Sequence, residues 1–345
     1  MTKELRPDPM TRVAYLIKSH RNTSQVERLA RTLVDESPTA EVAIHHNPGG
    51  SRLPDLGSWG QDRVHLLTNT VRVSYLSWSA VEAALRLLSW ALEKPDVDWV
   101  ILLSGQDYPL VPVLEIERFL ADSQVDGHVH GERPADSAWA REVFMRYYFH
   151  HRAVLSLDRL TEASVARLRN ASTRLNAAQS LVNVRVGGGS QYIWLGYRAL
   201  RVPFDRRPCW VGSEWSALSR RAVQSIVRVV RDEPALVGHY RRTVTPIESF
   251  FQTILFNEPG LRLRRDNLHY IRWSGPDTPH PEVLGFGDLA AARASGKYLA
   301  RKFDETANPG VLDALDSLRH QNGSIVAPLP IPARDRPSCS PELRS

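Results

Sequence analysis

Three short apolar runs constrain this chain more than any other feature: VAYLI within Arg12–Ser19, EVAIHHN at 41–47 and DWVILLS at 98–104. Runs this short, bounded by turn residues, fit strands buried on both faces. Between the first two lies a helical pattern with Val26, Leu29, Ala30 and Leu33 on one side, opened by Ser24 with Glu27 three residues on. That pair has the form of a capping box. The second run ends at Pro48-Gly49-Gly50, and a further helix, SAVEAALRLLSWALEK, starts at Ser79 with Glu82 in the same relation and stops at Pro95. Strand–helix–strand order of this kind predicts an α/β fold with a parallel sheet.

The remaining chain is less regular. The third run breaks into a loop, GQDYP, before a helix (EIERFLAD) and an alternating strand (VDGHVHGE). Residues 134–157 are aromatic and basic without a clear period, and 161–182 look helical, with Gly187-Gly188-Gly189 as a connector. Then come QYIWLGY, SEWSAL, the helix RRAVQSIVRVV, a helix from about Pro246 (IESFFQTILFN), a strand LHYIRW, the segment LAAARASGKYLARKFD and a last helix near VLDALDSLR. The boundaries read as an N-terminal extension at 1–11, one domain at 12–320, and a Pro/Ser/Arg-rich tail at 321–345 expected to be disordered.

Charge narrows the partners. A formal net charge of +6 favours anionic ligands, but the arginines are dispersed and no recognition motif for nucleic acid is present. Only five lysines occur, so a lysine inside a motif carries weight. Two cysteines, Cys209 and Cys339, make no disulfide framework. Lys18 and His20 close off the one apolar stretch near the N-terminus, which gives an expectation of a cytoplasmic protein without a membrane span.

Polar residues at strand ends are the first places to look for a ligand in an open α/β sheet. Here these are His45, His46 and Asn47, and Ser104 to Asp107. HExxH, CxxC and EF-hand patterns are missing, and the one Asp-x-Asp, at 96–98, stands before a strand rather than after it. No metal site is expected. P-loop and GxSxG motifs are missing too, and GFGDL at 285–289 reads as a turn. Glu248 follows Thr245-Pro246, which reads as N-cap and first helical residue, so taken alone it compensates a helix dipole. Arg301-Lys302, taken alone, is a surface basic pair.

In order along the chain, SWSAVEAALRLLSWAL, DWVILLSGQDYPL, VGSEWSALSRRAV, TPIESFFQTIL, YIRW and ARKFD resemble the core-2/I-branching β-1,6-N-acetylglucosaminyltransferase family, which includes the peptide O-xylosyltransferases. The resemblance runs from about Arg12 to Asp304 and looks like a bacterial, cytosolic-type member without the anchor of Golgi enzymes. It implies a GT-A type fold, a UDP-sugar donor, inversion and no metal or other cofactor. On the family pattern, Glu248 falls on the catalytic base, although Ile247 stands where the family has an acidic residue. Lys302 falls on the lysine that contacts the diphosphate. The family's second phosphate-binding arginine falls on Pro279, which leaves Arg301 or the adjacent His280 as substitutes. Tyr75 falls near the uracil, with His45 and Asn47 at the strand end that meets the uridine. Trp273, Trp215 and Glu132 fall on acceptor-side positions.

These residue types suit the reaction. A carboxylate within hydrogen-bond reach of the acceptor hydroxyl takes its proton, an effect of about 10²–10⁴ in rate. Charge that builds on the departing diphosphate needs fixed cations where no metal is held. The expected function is therefore transfer of a sugar, GlcNAc first, to an acceptor hydroxyl in β-linkage. UDP-xylose or another UDP-hexose is the alternative donor, and an inactive sugar-binding relative is the alternative class.

Overall fold

The computed structural model describes residues 11–57, 62–74, 76–157, 160–179, 181–186, 192–275 and 280–321. The expected extension before Thr11, Tyr75, the Gly187–Gly189 connector, Pro279 and the tail beyond Gln321 lie outside the described residues.

The chain begins with strand β1 (Val13–Ser19), helix α1 (Thr23–Glu36), β2 (Glu41–His46), β3 (Val64–Leu66), α2 (Ser79–Glu93) and β4 (Trp99–Ser104). Next come β5 (Asp107–Pro109), α3 (Val113–Ala121), β6 (Gly127–Val129), α4 (Ala138–Arg146), β7 (Phe149–Ser156), α5 (Glu162–Ala178), β8 (Val182–Val186) and β9 (Tyr192–Arg198). The last part holds β10 (Ser216–Ser219), α6 (Arg220–Asp232), α7 (Pro234–Tyr240), α8 (Phe250–Phe256), β11 (Leu263–Arg264), β12 (His269–Ile271), α9 (Leu289–Ala294), β13 (Leu299–Arg301) and α10 (Val311–Gln321).

Seven strands form the central sheet in the order β11-β6-β10-β4-β1-β2-β3. All neighbours pair in parallel except at β10, which is antiparallel to both β4 and β6. The fold is thus the expected α/β class, a mixed and mostly parallel sheet flanked by helices. Alternate residues of β1 feed two cores: Ala14 and Leu16 pack with α2, α6, α7 and α8, whereas Val13, Tyr15 and Ile17 pack with α1, α3, α9 and α10. Beside the central sheet stand a three-stranded sheet β12-β13-β5 and an antiparallel sheet β7-β9-β8. Among the described residues no helix is long and apolar enough to cross a membrane.

Several local expectations are corrected. Neither capping box forms: α1 starts at Thr23 behind a left-handed Asn22, α2 starts behind Trp78, and neither has a side-chain cap. Other bonds form at the two helix starts: Asn22 Nδ2 donates to Asp304 Oδ1 at 3.0 Å, and Ser79 Oγ accepts from the Ser74 amide at 2.9 Å. The GQDYP loop contains strand β5, which pairs with β13 far along the chain. The aperiodic 134–157 stretch holds α4 and β7. The helix expected from Pro246 is a 3₁₀ turn, Pro246–Glu248, ahead of α8.

Candidate active site

Glu248 closes that turn. Thr245 before it has φ 47°, a left-handed conformation that a β-branched residue rarely adopts, and it makes no side-chain cap. The turn is held instead by the Thr245 amide on Leu76 O at 3.1 Å and by Tyr147 Oη donating to Thr245 O at 3.0 Å. Ile247, in place of an acidic residue, is buried in the core. The Glu248 carbonyl accepts from the Gly212 amide at 2.8 Å, and the neighbouring Val211 bridges to Glu132 by two backbone bonds of 2.8 and 2.9 Å. Gly212 is needed there, because a Cβ would lie 2.0 Å from His130 O. Glu132 and Glu248 therefore stand on adjoining backbone.

The Glu248 carboxylate is partly buried and meets Arg146 Nη1 at 3.2 Å. Arg146 also donates to Glu142 one helical turn back, at 3.2 Å. Burial works against the Arg146 charge, but Glu248 and Glu142 outweigh it and raise its pKa. Sequence reasoning missed Arg146, which sits in the aperiodic stretch; its i,i+4 spacing from Glu142 was the available signal. Of the residues expected to meet the acceptor, Glu132 accepts from Ser137 Oγ and lies 3.2 Å from His130 Nε2, and Trp273 is exposed just after β12.

A second group of residues gathers cations at the ends of β1 and β13. Lys302 follows β13, and Arg21 follows β1. Burial lowers the Lys302 pKa, aided by the charges of Arg21 and Arg301 and opposed by Asp304. Burial lowers the His280 pKa, aided by the positive charges of Lys302, Arg21 and Arg169. Arg21 Nη2 stands 3.8 Å from Asp304 Oδ2. Arg21 was also missed, although its place directly after a strand end marks it.

Arg301 differs from its neighbour. It is buried, lies 3.9 Å over the Trp215 ring, and its Nε is 3.5 Å from Asp107 Oδ1. Asp107 is fully buried in its turn, accepting from the Ser104 amide at 2.6 Å and Ser104 Oγ at 3.1 Å. Trp215 is buried as well, with Lys18 paired to Glu214 and lying 5.5 Å from its ring. Arg301, Asp107 and Trp215 thus form a buried brace under the cations.

At the end of β2, His45 Nε2 accepts from the Val71 amide at 3.0 Å, and burial lowers its pKa to about 4. Asn47 Oδ1 accepts from the Gly49 and Val73 amides at 3.1 and 3.2 Å, while its Nδ2 donates to Val73 O at 3.2 Å. Both side chains therefore hold residues 71–73, the segment that leads to Tyr75. Among the described residues no group of three or more His, Cys, Asp or Glu could hold a metal ion.

The sequence model of the Core-2/I-Branching enzyme family matches residues 13–144 and 204–293. Beta-glucuronosyltransferase GlcAT14A of Arabidopsis thaliana is 26% identical over 270 residues, covering 77% of this chain and 53% of the relative. Xylosyltransferase 2 of Rattus norvegicus is 24% identical over 341 residues, covering 89% of this chain and 34% of the relative. The chain thus spans about half or less of these relatives' lengths. Among solved structures, the WbbM bifunctional glycosyltransferase in its apo form aligns over 86% of this chain and 46% of its own, with TM-score 0.35 and 10% identity.

Proposed function

As the chain belongs to the Core-2/I-Branching enzyme family, we propose that it is an inverting GT-A type glycosyltransferase that moves a sugar from a UDP-sugar to an acceptor hydroxyl without a metal. The observation that carries this reading is the placement of Glu248, partly buried, against Arg146 at 3.2 Å and on backbone adjoining Glu132. Glu248 takes the acceptor's proton as it attacks the anomeric carbon. Arg146 fixes the orientation of the carboxylate. Lys302, Arg21 and His280 meet the diphosphate as its charge grows, with Arg21 in the part left open by Pro279. Arg301 acts from beneath, through the brace with Trp215, so the tryptophan supports the cations and Trp273 and Glu132 remain for the acceptor. His45 and Asn47 serve the uridine by holding the segment before Tyr75.

The donor is one of several UDP-sugars. Relatives named for xylosyl and glucuronosyl transfer put UDP-xylose and UDP-glucuronic acid beside UDP-GlcNAc. UDP release from these three donors in excess EDTA tests the reading. Turnover is expected to persist under chelation, and its loss there would remove the metal-free mechanism. Glu248→Gln is expected to lower transfer by about 10²–10⁴ while UDP still binds. Full transfer by that variant would rule Glu248 out as the base.

A further inference from the structure

Residues 145–203 lie between the two stretches that match the family, and they bring a second guanidinium to Glu142, the residue that also pairs with Arg146. Arg185, on β8, places Nη1 3.8 Å from the same Glu142 oxygen that pairs with Arg146. The result is a chain of alternating charge, Arg185–Glu142–Arg146–Glu248, that ends on the carboxylate read here as the base.

The position of Arg185 is built rather than incidental. Its Nε donates to Asn183 Oδ1 at 3.0 Å, and His151 Nε2 meets the same oxygen at 3.1 Å from β7. Burial lowers the His151 pKa to about 4, so near neutral pH the ring is uncharged and donates its Nε2 proton. Gly196 on β9 lies between those two strands, and a Cβ there would come within 2.5 Å of His151 Nε2 and 2.9 Å of Asn183 O. Only the missing side chain lets histidine reach across to asparagine. Trp194 stands directly opposite Arg185 in the β8–β9 register, and its buried Nε1 has no hydrogen-bond partner among the described residues.

Among the described residues Arg185 forms an ion pair only with Glu142, at 3.8 Å, and that side chain is 62% exposed, which leaves the guanidinium without a close bidentate partner. Burial and the neighbouring Arg146 lower the Arg185 pKa to about 10 despite Glu142 and Glu248. A guanidinium so placed gains from a planar oxyanion that accepts two parallel hydrogen bonds. We propose that Arg185 reads a carboxylate or phosphate on the acceptor, and that the sheet β7-β9-β8 is an acceptor platform with Trp194 beside the charge. The assignment rests on Glu248 as base. It favours the acceptor over the donor because Arg185 joins α4, the helix whose Ser137 cap holds Glu132, whereas the leaving-group cations Lys302 and Arg21 follow β13 and β1.

The test is equilibrium binding to the full chain saturated with UDP, using methyl β-D-glucuronide, methyl β-D-glucoside 6-phosphate and the neutral methyl β-D-glucoside. At least one anionic ligand should bind about tenfold tighter than the neutral one, the worth of a charged hydrogen bond. The tighter of the two tells carboxylate from phosphate. Arg185→Gln should bring all three to parity, Arg185→Lys should keep part of the preference, and the Tm of both should stay near that of the wild type. Equal or undetectable binding of all three by the wild type, or a preference that survives Arg185→Gln, overturns the proposal. So does an effect of Arg185→Gln confined to the KM for UDP-glucuronic acid as donor. Glu248→Gln separates the two readings: it should keep the anion preference while losing transfer. An inactive Glu248→Gln without any preference in the wild type removes the platform alone, and an active Glu248→Gln with the preference intact removes the base alone.

Discussion

The central sheet and the small sheet β7-β9-β8 are held together by different physics. Val13 to Ile17 of β1 are 0% exposed, closed in on both faces by helices. On β9, by contrast, Tyr192, Leu195 and Tyr197 are 41, 43 and 48% exposed, and among the described side chains of α5 only Ser172 is buried. What holds the small sheet is polar. Asn176 exchanges two 2.8 Å bonds with the Val184 backbone, His151 reaches Asn183, and His150 meets His239 of α7 at 3.2 Å. Apolar burial scales with area and gives global stability. Few buried contacts and many polar anchors give a unit that opens locally at lower cost. The difference sets a closely packed central frame beside a small sheet whose exposed face and polar anchors leave it less tightly held.

Three measurements would break or sharpen this contrast. The largest effect belongs to Leu16→Ala: Leu16 is fully buried between Ala43 and Leu102 in register, and the change should cost about 2–5 kcal/mol in denaturant unfolding. A loss well below 1 kcal/mol would mean the core repacks freely, and the contrast would fail.

A smaller effect is expected at Glu117 of α3. Burial raises its pKa to about 7 from an ordinary 4.5, against hydrogen bonds from Ser37 and Tyr15 that lower it. The folded chain keeps this proton up to about pH 7, whereas the unfolded chain releases it near 4.5. The contribution is therefore full below pH 4.5 and is lost as pH rises to about 7. Glu117→Gln should flatten that slope and raise stability at pH 8 by up to about 3 kcal/mol, one pKa unit being worth about 1.4. An unchanged slope in the variant would show that other groups set it.

The smallest effect belongs to Leu195→Ser on β9, expected within about 0.5 kcal/mol because the side chain is already 43% exposed. Hydrogen exchange across 149–198 should be faster than across β1 in both proteins. Equal protection of the two sheets would remove the distinction.

The same division explains what could be read from the chain. The strands β1, β2 and β4 were legible because residues buried on both faces must be apolar without interruption. In α4 only Ala140 and Val143 are buried, and β7 is buried at Phe149–His151 and exposed beyond it, so neither leaves a period to find. Strand β5 escaped notice because its partner β13 lies nearly two hundred residues away. At the candidate site, the family resemblance singled out Glu248 and Lys302, and their roles there are part of the proposed function. Arg146 and Arg21 carried only weak signals, an i,i+4 spacing and a place after a strand end, and Arg185 carried none until folding set it beside a carboxylate and another cation.

The sequence by itself determined the α/β class, the buried strands and the positions of a glutamate and a lysine with chemistry to offer. Burial demands apolar composition, and composition is local information. Tertiary structure alone decided that Arg146 pairs with Glu248, that Arg301 lies buried on Trp215 while Lys302 joins Arg21, and that Arg185 reaches the same charge network from β8. Charge interactions act between groups brought close in space, and here the chain separates those groups by tens to hundreds of residues.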